Sequence, residues 1–180
     1  MRESCRRHSL VSLVPALAGQ GVTFLTGDAW FLEIARAVST GAKCTRRQVG
    51  AIIVDSDNHV AGLGKNGSPP GDPECTDGAC PRGRHWAREA AFGDIVCGSD
   101  NKPWPCPDRV EPGSGYDTGP GSCIANHAEA NALLNRTAAS VKGMTMYVTD
   151  WPCDGCMRLI RGAQIARIVT PVRAWQPGLS

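Results

Sequence analysis

Two short motifs constrain the fold most strongly, because each stands where a helix is predicted to begin: His127-Ala128-Glu129 and Pro152-Cys153-Asp154-Gly155-Cys156. Cys153 and Cys156 are three residues apart, so both sulfurs face one point from the first turn of their helix. The unpaired N–H groups and the positive dipole end at that turn favour thiolate over thiol. These two cysteines form half of a zinc site, and His127 can supply a third ligand from the other helix.

The combination of residues indicates catalysis rather than structure. Three protein ligands leave the fourth tetrahedral position to water, as in catalytic zinc sites. Glu129 is two residues from His127, so it can face that water without being a ligand and is predicted to carry protons. A redox pair or half of a structural zinc ribbon would explain the cysteines but not His127 and Glu129. In this order the motifs match the zinc deaminase signature, His-x-Glu followed by Pro-Cys-x-x-Cys.

Regular secondary structure is predicted in two blocks. In the first, Asp28 caps a helix over 29–40, and strands follow at 49–54 and from His59 to Gly64, joined by a turn at 55–58. In the second, helices at 127–139 and 153–163 alternate with strands at 145–149 and 165–170. This alternation predicts that the last two strands are parallel and joined by a crossover helix.

Between these blocks lies a loop-rich insert at about 68–122, where periodicity nearly vanishes and Pro, Gly, Asp and Cys accumulate. We predict one helix within it, at 84–93. A loop this long inside a compact domain is either functional or cross-linked. The chain has nine cysteines, an odd number that cannot pair completely within one chain, which favours metal ligands or reduced thiols.

Length and charge limit the remaining possibilities. The chain of 180 residues suits one domain, predicted at 27–180 after a flexible N-terminal extension at 1–26. The outline of a secretory signal in that extension is interrupted by Pro15.

With 19 Lys+Arg against 17 Asp+Glu, the chain lacks the basic footprint of a duplex-DNA binder. No apolar run reaches the ~18–20 residues of a membrane span. We expect a cytoplasmic protein with a small-molecule substrate and neither duplex nucleic acid nor membrane as partner.

The sequence resembles the cytidine deaminase superfamily and, within it, the deoxycytidylate (dCMP) deaminase family. The resemblance spans residues 29–170 and rests on 43–54 (KCTRRQVGAIIV), 66–71 (NGSPPG), 127–134 (HAEANALL), 146–149 (MYVT) and the Pro152–Cys156 motif. It implies an α/β fold, a three-layer α/β/α sandwich with a mixed five-stranded sheet. It also implies hydrolysis of dCMP to dUMP and ammonia. Members are usually homo-oligomers, from dimers to hexamers.

The resemblance also implies residue roles. His127, Cys153 and Cys156 would bind the catalytic zinc, and Glu129 would be the proton shuttle. Asn66, Ala128 and Arg46 would contact the substrate, Asn66 through its sugar or base. Asn66 has an alternative reading as a plain Asn-Gly turn. Arg46 and its neighbour Arg47 are candidates for the 5′-phosphate, or are solvated surface arginines.

A second, structural zinc is known in some deoxycytidylate deaminases, with cysteines at positions resembling Cys44 and Cys75. Cys80 and His85 are the nearest candidates to complete this site, and a closed four-ligand site would order a loop with so little apolar content. The alternative is that Cys75, Cys80, Cys97, Cys106 and Cys123 are free thiols in a mobile lid.

Two departures from the family pattern, Lys65 before Asn66 and Trp151 before Pro152, leave the substrate open. A modified cytosine nucleotide or nucleoside, or a purine base, would fit the same chemistry. An alternative of a different class is a non-catalytic zinc-binding interaction module, against which the presence of Glu129 argues.

Overall fold

The computed structural model describes residues 25, 27–85, 87–89, 91–97, 101–103 and 122–177. All of the predicted extension at 1–26 except Leu25 lies outside the described residues, as do 98–100 and 104–121 of the insert. None of the helices in the described ranges is both long and apolar enough to cross a membrane.

The helices are α1 (Gly27–Ser39), α2 (Pro81–Arg84), α3 (Ala128–Leu134) and α4 (Asp154–Gly162), and a 3-10 turn covers Cys75–Asp77. The strands are β1 (Gly50–Val54), β2 (Val60–Lys65), β3 (Ala87–Glu89), β4 (Ile95–Cys97), β5 (Thr145–Val148), β6 (Arg167–Val169) and β7 (Ala174–Trp175).

A mixed five-stranded sheet in the order β2-β1-β5-β6-β7 organises the domain. Strands β5 and β6 are parallel and connected through α4, while the other neighbouring pairs are antiparallel. The predicted parallel pair and its crossover helix are therefore confirmed. Strand β1 lies inside the sheet and all of its residues are buried, which explains its unbroken apolar sequence.

Helices cover both faces of this sheet. On one face Ile52 and Val54 pack in a cluster with Phe31 and Ala35 of α1. On the other, Ala51 and Ile53 pack in a cluster that contains residues of α3 and α4, among them Ala132 and Ile160. The alternation of side chains along β1 thus divides the core in two and produces the predicted three-layer α/β/α sandwich.

Strand β2 lies unusually close to α3. A Cβ atom at Gly64 would stand 2.7 Å from the carbonyl carbon of Asn131 and closer still to the carbonyl oxygen of Ala128 and the nitrogen of Ala132. A Cβ atom at Gly62 would stand 2.6 Å from the carbonyl oxygen of Ala132. The absence of side chains at these two glycines lets the helix backbone rest directly on the strand.

The predicted helix at 84–93 is wrong. Helix α2 begins earlier, because Cys80 caps it and Pro81 occupies its first turn, and it ends at Arg84. Residues 87–89 instead form β3, which pairs with β4 in a separate two-stranded sheet. Helix propensity alone supported the prediction, and strand pairing overrides so weak a preference.

Helix α3 is shorter than the predicted 127–139 and ends at Leu134. Both the N–H and the hydroxyl of Thr137 donate to the carbonyl of Ala61, at 2.8 and 3.2 Å. These bonds draw the chain onto β2 and are incompatible with a continued helix. Strand β7, which was not predicted, adds a fifth strand through the pairing of Ile168 with Trp175.

Candidate active site

The N-termini of α3 and α4 converge at the site. His127 is the N-cap of α3 and Cys153 is the N-cap of α4, with Cys156 one turn into that helix. The Cys153 sulfur accepts the Cys156 N–H at 3.5 Å, which fixes the first turn of α4. The chain just before α3 is held by a bridge between Gly67 and Asn126, each N–H donating to the other's carbonyl.

His127, Cys153 and Cys156 offer three donor atoms to one point. The His127 Nδ1 lies 3.4 Å from the Cys153 sulfur and 3.3 Å from the Cys156 sulfur, and all the donor atoms lie within 4.8 Å of one another. In a tetrahedral zinc site, bonds of about 2.0 Å to nitrogen and about 2.3 Å to sulfur place these two atoms about 3.5 Å apart. One imidazole and two sulfurs at this spacing fit a zinc ion with an open fourth position.

Glu129 lies in the first turn of α3, beside this donor set. Its residue is 4% exposed, and burial raises the pKa of its carboxyl, an effect that the neighbouring His127 and Cys156 oppose. Burial likewise raises the pKa of the Cys156 thiol in the protein without metal. A buried carboxyl beside the donor set is placed to transfer protons to and from a ligand in the site.

A cavity of about 240 Å³ opens onto the site. It brings together the predicted residues His127, Cys153, Glu129, Asn66, Ala128 and Arg46, and it is also lined by Cys44, Arg47, Val49, Cys80, Arg82, Gly83, Cys123, Ala125, Asp150 and Trp151. Residues from both blocks and from the insert therefore share one concave surface, the usual setting of a small-molecule site.

Residues 25–171 match the family model described as the cytidine and deoxycytidylate deaminase zinc-binding region. The chain belongs to this family. This match and the donor set of His127, Cys153 and Cys156 together confirm zinc as the cofactor.

Individual relatives agree with the family match. The chain is 37% identical over 144 residues to the deoxycytidylate deaminase of Mycobacterium phage D29. The aligned region covers 80% of this chain and 93% of the phage protein. The chain is 33% identical over 147 residues to the deoxycytidylate deaminase of Homo sapiens, covering 81% of this chain and 65% of the human protein. Its fold is similar to that of a dCMP deaminase from the cyanophage S-TIM5, with a TM-score of 0.50, 22% identity and coverage of 78% and 77% of the two chains.

Asn66 is 9% exposed and lines the cavity of the deaminase. Its Oδ1 accepts the Val49 N–H at 2.8 Å, and its Nδ2 donates to the Arg47 carbonyl, also at 2.8 Å. The side chain thus clamps the segment that leads into β1. The alternative of a plain Asn-Gly turn does not account for these two bonds.

Two charged contacts form part of the cavity wall. Arg47 donates to Asp150 at 2.6 Å, so one predicted phosphate candidate is already paired with a carboxylate. The Arg173 guanidinium carbon lies 3.5 Å from the centre of the Trp151 ring. Trp151 is therefore stacked on a cation on one face, a favourable cation–π contact.

Four thiols lie near one another: Cys75 and Cys80 of the insert, Cys44 of the segment before β1, and Cys123 of the segment before α3. The Cys80 and Cys123 sulfurs lie 4.0 Å apart. The pKa of Cys75 rises to about 12, first through burial and then through neighbouring Cys80, Cys44 and Cys123. His85, the predicted fourth ligand, has its Nδ1 3.4 Å from the Cys97 sulfur.

Sequence reasoning did not single out Cys123 or Arg82, although both line the cavity. Cys123 precedes His127 by four residues, so it enters the site with the chain that leads into α3. Its position four residues before a recognised ligand was the available signal. For Arg82 the only local signal was the Cys-Pro-Arg-Gly run, which starts a short capped helix.

Proposed function

We propose that this deaminase hydrolyses dCMP to dUMP and ammonia. The observation that carries the proposal is the position of Glu129, buried beside the His127, Cys153 and Cys156 donors on a cavity that three arginines also line. The donors suit a hydrolytic zinc site, and the arginines suit a phosphorylated substrate. The relatives named deoxycytidylate deaminase support the same substrate.

Each residue of the site has a role in this proposal. His127, Cys153 and Cys156 hold zinc, which supplies a nucleophile from water at neutral pH. The Glu129 carboxylate accepts a proton from the attacking water and delivers it to N3 of the cytosine as the C4–O bond forms. Glu129 then moves the proton of the new C4 hydroxyl to the exocyclic nitrogen. The C4–N4 bond breaks as the C4=O bond forms, and ammonia leaves with the electron pair of the broken bond.

Substrate contacts come from the opposite wall of the cavity. Asn66 fixes the segment around Arg47 and Val49, and the second N–H of its amide is the proposed donor to the sugar or base. Ala128, which is fully buried, leaves room for a flat ring beside Glu129. Arg46 is exposed at the mouth of the cavity, where it draws in an anionic substrate.

The four-thiol cluster holds a second, structural zinc, with Cys123 in place of the predicted His85. Two sulfurs on one tetrahedral zinc are about 3.8 Å apart, close to the 4.0 Å between Cys80 and Cys123. Such a site cross-links the insert to the segment before β1 and to the segment before α3. Cys80→Ser lowers the zinc content from two ions per chain to one, whereas Cys97→Ser, a buried thiol outside the cluster, leaves two. One zinc in the unmodified protein contradicts this assignment.

The remaining proposals concern the whole chain. Residues 27–180 form a single domain preceded by an extension at 1–26. The protein acts in the cytoplasm, where thiols are kept reduced and can serve as zinc ligands. It assembles as a homo-oligomer, which is supported by exposed large apolar side chains on β2, α3 and α4, among them Leu63, Leu134 and Leu159. Light scattering after size-exclusion chromatography measures the assembly directly.

Ammonia release tests the function. Purified zinc-loaded protein is incubated with dCMP, CMP, deoxycytidine, 5-methyl-dCMP and guanine, and dCMP is expected to react fastest. Release from none of them removes the deaminase assignment, and faster release from 5-methyl-dCMP or guanine changes the substrate. Glu129→Gln retains zinc and loses about 10²- to 10⁴-fold in kcat, the usual contribution of a proton-transfer group. Undiminished turnover in this variant would exclude Glu129 from the mechanism.

A further inference from the structure

The three zinc donors are held in different ways. Cys156 lies inside α4 and is only 4% exposed, so core packing fixes it. His127 caps α3. Cys153 is exposed and stands at the end of the loop that joins β5 to α4, residues 149–153. Packing supports an exposed side chain less than a buried one, so the position of the Cys153 sulfur depends on what holds this 149–153 loop.

The first half of the 149–153 loop is tied to the start of β1. The Thr149 N–H donates to the Gly50 carbonyl at 3.0 Å, and the Gly50 N–H donates to the Thr149 hydroxyl at 3.1 Å. Asp150 accepts a hydrogen bond from Arg47 at 2.6 Å, and it also accepts the N–H of Trp151 at 2.9 Å. These bonds continue the connection between β1 and β5 beyond the end of β5.

Trp151 is held from a different part of the chain. The Arg173 guanidinium carbon lies 3.5 Å from the centre of the Trp151 ring, well inside the ~6 Å over which a cation attracts an aromatic face. Arg173 belongs to the turn between β6 and β7. Thr170, which is 4% exposed, closes this turn, because its N–H and its hydroxyl both donate to the Arg173 carbonyl at 2.9 Å. The turn therefore fixes the backbone from which Arg173 reaches the loop.

Only Pro152 separates Trp151 from Cys153. A proline ring fixes its own φ and restricts the residue before it, so few backbone angles in this link can change. A displacement of Trp151 is therefore passed on to Cys153. We propose that Arg173 is a positioning residue of the zinc site, which keeps the Cys153 sulfur in place by holding Trp151. This inference rests on the zinc donors assigned in the proposed function and is independent of which base is the substrate.

The test follows the release of zinc. Zinc-loaded protein is mixed with an excess of a chromogenic chelator, and the rate of zinc release is recorded. The release phase that is missing in Cys153→Ser belongs to the catalytic ion. Arg173→Gln is expected to accelerate this phase about 10-fold, the lower end of the effect of groups that orient metal ligands, because Arg173 acts through Trp151 rather than on the donor itself.

Further variants show whether the effect passes through Trp151. Arg173→Lys keeps a cation over the ring and should restore release to within about threefold of the unmodified rate. In a Trp151→Leu background, Arg173→Gln should have no further effect, because the contact is already removed. Arg161→Gln is the matched control: Arg161 lies over another indole, 5.5 Å from the centre of the Trp175 ring in β7, and its replacement is expected to leave the release rate unchanged.

Each outcome supports or refutes the inference. An unchanged catalytic phase in Arg173→Gln refutes it, and so does equal acceleration in Arg161→Gln, which would indicate a general loss of stability. Further acceleration by Arg173→Gln in the Trp151→Leu background shows that Arg173 acts by another route and also refutes it. If Trp151→Leu does not fold, Arg173→Lys decides: restored release supports the inference, and release as fast as in Arg173→Gln refutes it.

Failure of the proposed function is seen separately. If Cys153→Ser keeps every release phase, the proposed zinc donors are wrong and the inference is refuted with them. If the unmodified protein does not turn over dCMP, the proposed substrate is wrong, while zinc release still decides the role of Arg173.

Discussion

Gly64→Ala tests whether the catalytic helix depends on its backbone contact with β2. Gly64 lies in β2 opposite Ala51, with the backbone of α3 directly above it. The atoms nearest to an added Cβ all belong to the backbone of residues 128, 131 and 132, so no side chain can rotate away. The helix must move, and α3 carries Glu129 and is capped by His127.

The required movement follows from the distances. The added Cβ would stand 2.7 Å from the carbonyl carbon of Asn131, whereas ordinary contact begins at about 3.5 Å. Helix α3 must therefore shift by about 0.8 Å or more. Overpacking of this kind costs about 1–3 kcal/mol of unfolding free energy, and we expect the upper end because the obstructing atoms are backbone. Misplacing catalytic groups by about 1 Å lowers activity by about 100-fold.

Gly162→Ala is the matched control, since nothing lies within 4 Å of a Cβ atom at the end of α4. It is expected to leave deamination unchanged and to stabilise the protein by up to about 1 kcal/mol, because alanine favours helix. Both variants are measured by urea unfolding, zinc content and dCMP turnover. If Gly64→Ala unfolds within 0.5 kcal/mol of the unmodified protein and turns over dCMP within twofold of it, α3 does not rest on β2 as described.

Two further substitutions test contacts that hold the layers together. Asp28→Asn weakens the tie between α1 and the sheet, in which Asp28 accepts hydrogen bonds from Arg167 at 2.7 and 2.5 Å and from Tyr147 at 2.9 Å. The Arg167 hydrogen bonds lower the pKa of Asp28, so its stabilisation is complete above the unfolded pKa of about 4 and is lost as the pH falls through the lower folded value. We expect Asp28→Asn to lower the free energy of unfolding by about 1 kcal/mol at pH 7, an effect kept small by the 40% exposure of the Asp28 side chain. In urea unfolding below pH 4 the difference from the unmodified protein should shrink. An equally large difference at pH 3 contradicts this. Asn66→Ala removes the bonds to Val49 and Arg47 and costs about 2 kcal/mol of unfolding free energy, and a loss of less than 0.5 kcal/mol shows that the clamp is dispensable.

The sequence predicted those parts of the fold whose signal is local. Apolar spacing located α1, and β-branched runs located β1, because burial on one stripe or on both faces leaves a repeating pattern. The zinc donors could be predicted because His127 and Cys153 are helix caps, and the chemistry of helix starts is visible in short motifs.

Features that depend on distant pairing escaped prediction. The contact between Cys80 and Cys123 joins residues 43 apart in sequence, and nothing in the intervening Pro- and Gly-rich chain indicates which cysteine returns. Strand β7 contains two residues, too few for any period to register. The burial of Arg82 follows from the position of α2, which the hydrogen bond between Thr45 and Gly83 helps to fix. These two residues are 38 positions apart in the sequence.

The insert and the active site are joined by the short segment before β1. Cys44 belongs to the thiol cluster, Thr45 holds α2, and Arg46 and Arg47 face the cavity, all within four consecutive residues. Asn66 then fixes the end of this segment to β1 and β2. A metal bound by the cluster would therefore stiffen this wall of the cavity, while the donors around Glu129 are held separately at the N-termini of α3 and α4. Loss of the second zinc should accordingly weaken substrate binding more than the chemical step, because the two walls of the cavity are anchored by different parts of the chain.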